Sequence, residues 1–81
     1  MKISKHAITR MSQRGISEKI ISLIVQFGAP LPSRGGVKKI IRKRDIGWIL
    51  HEVPEEKQIL DKAARRTLVM SMDESQVITA Y

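Results

Sequence analysis

At 81 residues with no cysteine, the chain has the length of one small domain, 1–81, without a disulfide, a thiol nucleophile or a cysteine zinc site, and the cytosol is its expected compartment. Its longest mainly apolar run, residues 20–29, is interrupted by Ser22 and Gln26 and falls well short of the roughly 20 residues of a membrane span, so a soluble protein with no membrane partner is expected. The net charge of +7 is uneven: residues 1–44 hold eleven Lys and Arg against the single acid Glu18, and residues 45–81 hold four against seven, which marks the first half as a cationic surface for a polyanion, nucleic acid first among them.

Ser4 is placed to cap a helix that runs to about Gln13, and Gly15 to end it in the left-handed conformation. Ser17 restarts the chain. From Glu18 to Phe27 the apolar residues Ile20, Ile21, Leu23, Ile24, Val25 and Phe27 cover so wide an arc that this second helix must be mostly buried, with Gly28 closing it. Two prolines and two glycines in residues 29–36 predict a loop, and the β-branched run 37–42 predicts a strand. Residues 46–53 fit both periods, since Ile46, Trp48 and Leu50 alternate while Ile46, Ile49, Leu50 and Val53 repeat as on a helix; Asp45 as an N-cap favours the helix. Pro54 opens a further helix to about Ala64, with Glu55 and Glu56 at its positive end and Lys62, Arg65 and Arg66 near its negative end. Residues 67–72, a turn at 73–75 and residues 76–81 predict a terminal hairpin.

The constellation that suggests chemistry lies in the first helix. His6, Arg10 and Arg14 share a sector of roughly 80°, beside an apolar stripe of Ala7, Met11 and Ile8. An imidazole that changes charge near neutral pH, aligned with two guanidinium forks, suits holding a phosphate and moving a proton beside it. The plain structural alternative makes His6 an ordinary surface residue and lets Arg10 and Arg14 pair with carboxylates such as Glu52 or Asp73; two arginines four residues apart repel unless an anion lies between them. Lys5, Arg34, Lys38, Lys39, Arg42, Lys43 and Arg44 are candidate nucleic-acid contacts, the strand lysines being equally explained as guards of a solvated edge. His51 near Glu52 and Glu55 lacks further converging ligands, so no metal is expected. Gly35-Gly36 lacks the Lys-Ser/Thr of a phosphate loop, and no cofactor is expected. Trp48 is expected in the core or at an interface.

The string His6-Ala7-x-x-Arg10-Met11-x-x-Arg14-Gly15-Ile16-Ser17, followed by a buried helix and, at the far end, by Leu68-Val69-Met70-Ser71 and Val77-Ile78-Thr79-Ala80, resembles the bacterial DUF4258 family of small proteins. The resemblance implies an α+β fold, N-terminal helices packed on a small antiparallel β-sheet, grouped with barnase, colicin D and the RelE-like nucleases. It further implies a metal-independent ribonuclease acting on RNA as the toxin of a toxin–antitoxin pair, with an antitoxin protein as partner. On that expectation His6 is the base or acid, and Arg10 and Arg14 stabilise charge at phosphorus. Relatives of this kind run on into a Gly-His-Arg segment after the last strand, whereas this sequence stops at Tyr81. The alternative expectation is therefore a non-catalytic nucleic-acid- or protein-binding module on the same scaffold.

Overall fold

The computed structural model describes residues 2–81 and runs through β1 (Lys2–Ile3), α1 (Lys5–Arg14), α2 (Glu18–Phe27), β2 (Ala29–Ser33), β3 (Gly36–Ile40), α3 (Ile46–Glu52), α4 (Lys57–Ala63), β4 (Thr67–Met70) and β5 (Gln76–Ala80). Single 3-10 turns at Lys43–Asp45 and Pro54–Glu56 lead into α3 and α4. This is an α+β fold. The strand order is β1-β5-β4-β3-β2, antiparallel except that β1 runs parallel to β5. The sheet is thus mixed rather than purely antiparallel.

The helices α1 and α2 form where local signals place them. The Ser4 hydroxyl accepts the Ala7 N–H at 3.0 Å, Gly15 leaves α1 at φ 64°, and the Ser17 hydroxyl accepts the Ile20 N–H at 3.2 Å to start α2. Gly28 closes α2 for a different reason. Its φ of −69° suits any residue, but a Cβ there would collide with the Ile24 carbonyl oxygen. Residues 46–52 resolve as a helix, α3, with Val53 as its C-cap, because Ile49 is fully buried while Ile46 and Leu50 pack against the core. Asp45 stands at the N-cap position yet caps no backbone N–H: its carboxylate takes Arg42 Nε at 2.7 Å and Trp48 Nε1 at 3.0 Å instead. Trp48 is half exposed and meets Phe27 edge to face at 5.7 Å.

One expectation fails outright, the loop at 29–36. Residues 29–33 are the edge strand β2, paired with β3 from Ala29↔Ile40 to Ser33↔Gly36. Pro30 and Pro32 are two apart, so both missing N–H groups fall on the same side of the strand, the open edge, where no ladder bond is lost. Composition argued for a loop; position in the sheet removes the objection. By the same pairing β3 is an interior strand, so its lysines do not guard an edge. It also ends at Ile40, earlier than expected, because Ile41 turns into the core and Arg42 leads into the 3-10 turn.

Ala7 and Met11 of α1, Ile20, Ile21, Leu23 and Ile24 of α2, Ile49 of α3 and Leu60 of α4 share one core with Leu68, Met70, Val77 and Ala80 of the sheet. Ile8, expected beside Ala7 and Met11, is 53% exposed. Val77 and Ala80 both point inward although they are three residues apart. A β-bulge allows it: Met70 faces Val77 and Val69 faces Thr79, leaving Ile78 as the extra residue. The opposite face, with Leu31, Lys38, Val69 and Thr79 in register, is partly exposed. In the hairpin, Ser71 and Met72 belong to the turn rather than to β4, since Asp73 gathers the Ser71 and Ser75 hydroxyls at 2.7 and 2.8 Å and the Ser75 N–H at 3.1 Å.

Those three hydrogen bonds hold the Asp73 carboxyl down at about 2, from an ordinary 3.8. A depressed carboxyl stabilises the fold fully above its unfolded value, and that contribution is lost as pH falls from about 4 toward 2. Acid unfolding followed by circular dichroism is expected to be steeper in this window for the native chain than for Asp73→Asn; equal profiles would show that the turn contributes nothing.

Candidate nucleic-acid interface

Helix α1 is fastened to β5 at both ends. At its start the Ser4 N–H donates to the Val77 carbonyl at 2.9 Å and the Ser4 hydroxyl to the Ile78 carbonyl at 2.8 Å, both at the bulge. At its end Arg14 Nη1 donates to the Ala80 carbonyl at 3.2 Å. With Ala7 and Met11 turned into the core, the stripe of His6, Arg10 and Arg14 runs along the helix for about 12 Å at 1.5 Å per residue.

The three members of that stripe are not equivalent. His6 is exposed, and its ring makes no hydrogen bond among the described residues. Arg10 is half-buried and reaches only Gln13 Oε1 at 3.4 Å, a weak contact that leaves most of its donors free. Arg14 has a structural duty to Ala80, and its own carbonyl accepts Arg66 Nη2 at 3.1 Å. The carboxylate partners considered from the sequence are not there: among the described residues, neither arginine forms an ion pair. Asp73 is occupied in its turn, and Glu52 is exposed on α3.

The remaining candidates do not share a surface. Lys38 and Lys39 point to opposite faces of β3, Lys38 beside Val69 and Leu31 on the partly exposed face, Lys39 beside Leu68 on the core side. Lys39 is committed to the fold, with Nζ 2.8 Å from the Val25 carbonyl and 3.1 Å from Glu74 Oε1 and only 12% of its side chain exposed. Arg42 is paired with Asp45, whose carboxyl is held below its ordinary range first by Arg42 and then by the Trp48 N–H. Lys5, Arg34, Lys43 and Arg44 are exposed and stand on α1, the β2–β3 turn and the first 3-10 turn. No three His, Asp or Glu side chains converge among the described residues.

A group that sequence reasoning did not assign to binding does converge. Lys62, Arg65 and Arg66, together with Gly15 and Ile20, line a cleft of about 260 Å³ between the end of α1 and the end of α4. Their spacing of three and four residues was a usable signal, since it puts all three on one side of a helix end, but it was fully accounted for by the helix dipole. That α4 packs on α2, and so meets the α1–α2 turn, is a tertiary fact, reinforced by the Lys19–Glu56 ion pair at 2.8 Å.

Replacing Lys39 by Met is expected to cost about 1–2 kcal/mol in urea unfolding, because the Val25 carbonyl and Glu74 lose a charged donor. Lys38→Ala is expected to stay within about 0.5 kcal/mol. Equal costs would contradict the division of the two lysines between faces.

Residues 3–81 match the model of a family described as a domain of unknown function, DUF4258. No curated protein and no solved structure matches the chain.

Proposed function

The chain belongs to the DUF4258 family, and from its surface we propose that it binds RNA along a track formed by His6, Arg10 and Arg14 and continued by Lys62, Arg65 and Arg66. One observation carries this: the five cations Arg10, Arg14, Lys62, Arg65 and Arg66, on and beyond one helix face, have no carboxylate partner among the described residues. Like charges at three- and four-residue spacing repel, and a row of phosphates offsets that repulsion by supplying the missing anions. RNA is favoured over DNA by His6, whose free ring nitrogens can accept from or donate to a ribose 2′-hydroxyl. The chain has only Phe27, Trp48 and Tyr81 as aromatics, so affinity rests on phosphate contacts more than on base stacking.

A metal-independent ribonuclease, possessing an antitoxin partner if it acts as a toxin, is the second reading, and the unpartnered, exposed His6 favours it. His6 would take the 2′-hydroxyl proton while Arg10 stabilises charge at phosphorus. Cleavage also needs an acid for the leaving oxygen, and α1 carries no carboxylate and no second imidazole to supply one beside Arg10; binding therefore stands first. Induced expression that arrests growth and degrades RNA, relieved by His6→Ala in a folded protein, would reverse that order.

Affinity for a single-stranded RNA is expected to fall steeply with salt, with a log-log slope of about −0.7 for each phosphate neutralised. Arg10→Glu is expected to reduce both the slope and the affinity to a similar extent for unrelated sequences, because phosphate contacts position a ligand without reading bases. Fluorescence anisotropy at several salt concentrations measures both, and binding that is absent or indifferent to salt would rule the function out.

A further inference from the structure

We infer that the cleft between Gly15 and the end of α4 receives the terminal phosphomonoester of an RNA strand whose backbone lies along α1. The inference rests on the RNA-binding function proposed above and specifies which part of the ligand is held where.

Three of the five residues that line the cleft are cationic. Lys62 and Arg65 make no hydrogen bond or ion pair through their side chains among the described residues, and Arg66 spends a single N–H on the Arg14 carbonyl. An arginine carries five N–H donors and a lysine three, so most of the donors lining the cleft are unused. The nearest acid in sequence, Asp61, lies four residues before Arg65 but forms no ion pair with it. At the carbonyl end of α4, three oxygens that would repel an anion already have donors: the Leu60, Lys62 and Ala63 carbonyls accept the Ala64, Arg65 and Arg66 N–H groups at 2.9, 3.2 and 3.0 Å. Gly15 presents bare backbone on the facing wall, and a Cβ there would have no atom within 4 Å, so the mouth stays open on the side of α1.

Size and charge then choose the ligand. At about 260 Å³ the cleft is smaller than the roughly 300–1,000 Å³ of pockets that enclose a whole small molecule, so it takes a group rather than a complete nucleotide. An internal phosphodiester brings one negative charge, whereas a phosphomonoester brings about −1.5 to −2 at neutral pH and three strong acceptor oxygens. Three cations around one small cleft match the second. The cleft also follows Arg14 at the end of the α1 stripe, which is where a strand lying on that stripe would terminate.

The test uses one oligoribonucleotide sequence in three forms, with a 5′-phosphate, with a 3′-phosphate and with hydroxyls at both ends. Each is titrated by anisotropy against the full chain at about 0.1 M salt. A phosphorylated end is expected to tighten binding about tenfold or more, and the end that does so gives the polarity of the strand. Arg65→Ala is expected to weaken the end-phosphorylated RNA about tenfold more than the unphosphorylated one, and so to abolish the preference, with Lys62→Ala as a second variant and circular dichroism to verify folding. Equal affinity for all three forms, or an Arg65→Ala loss shared equally by all three, would overturn the inference while leaving RNA binding intact. No binding of any form would overturn both.

Discussion

Everything about the position of α1 depends on the Ser4 hydroxyl, which accepts the Ala7 N–H to start the helix and donates to the Ile78 carbonyl in the last strand. One small side chain thereby joins a local decision to a contact 74 residues away. The bulge at Ile78 makes the contact available, since an extra residue in β5 lets Val77 and Ala80 both face the core while Ile78 faces out. Arg14 repeats the arrangement at the other end of the helix through the Ala80 carbonyl. With both ends held, the buried Ala7 and Met11 face β5, while His6 is exposed and the half-buried Arg10 reaches only Gln13.

The cations of this protein divide into those the fold consumes and those it leaves over. Lys39 serves Val25 and Glu74, Arg42 serves Asp45, and Arg14 and Arg66 each give one bond to a carbonyl. What remains free is Arg10 and the cleft pair Lys62 and Arg65 on one side, and scattered exposed cations such as Lys5, Arg34, Lys43 and Arg44 on other elements. The uneven charge along the sequence pointed to a basic first half, but the cleft draws its lysine and arginines from the acidic second half. Packing, not chain position, decides which charges act together.

What was legible in the sequence was whatever is decided locally. Ser4, Ser17 and Gly15 announced the ends of α1 and the start of α2, and the apolar arc of α2 announced its burial, because caps and periodicity act within a turn or two. What was not legible needed a partner far along the chain. The two-residue β1 exists only by lying beside β5, and β2 is a strand only because its prolines face an open edge. The two neighbouring lysines of β3 looked alike and yet separate to opposite faces, a difference visible only once β4 fixes the register. At the site, the stripe on α1 was readable from helical spacing, whereas Arg14's bond to Ala80 and the cleft beyond it required the third dimension.

On the proposed function, the α1 stripe and the cleft at the end of α4 act as one polyanion-binding surface. Amide and histidine ring resonances followed by NMR while a single-stranded RNA is added test it most directly. Shifts are expected along His6 to Gly15 and at Lys62 to Arg66, with little change at Leu31, Lys38, Val69 and Thr79 on the opposite sheet face. Shifts confined to that sheet face, or to Lys43 and Arg44 on the 3-10 turn, would contradict it.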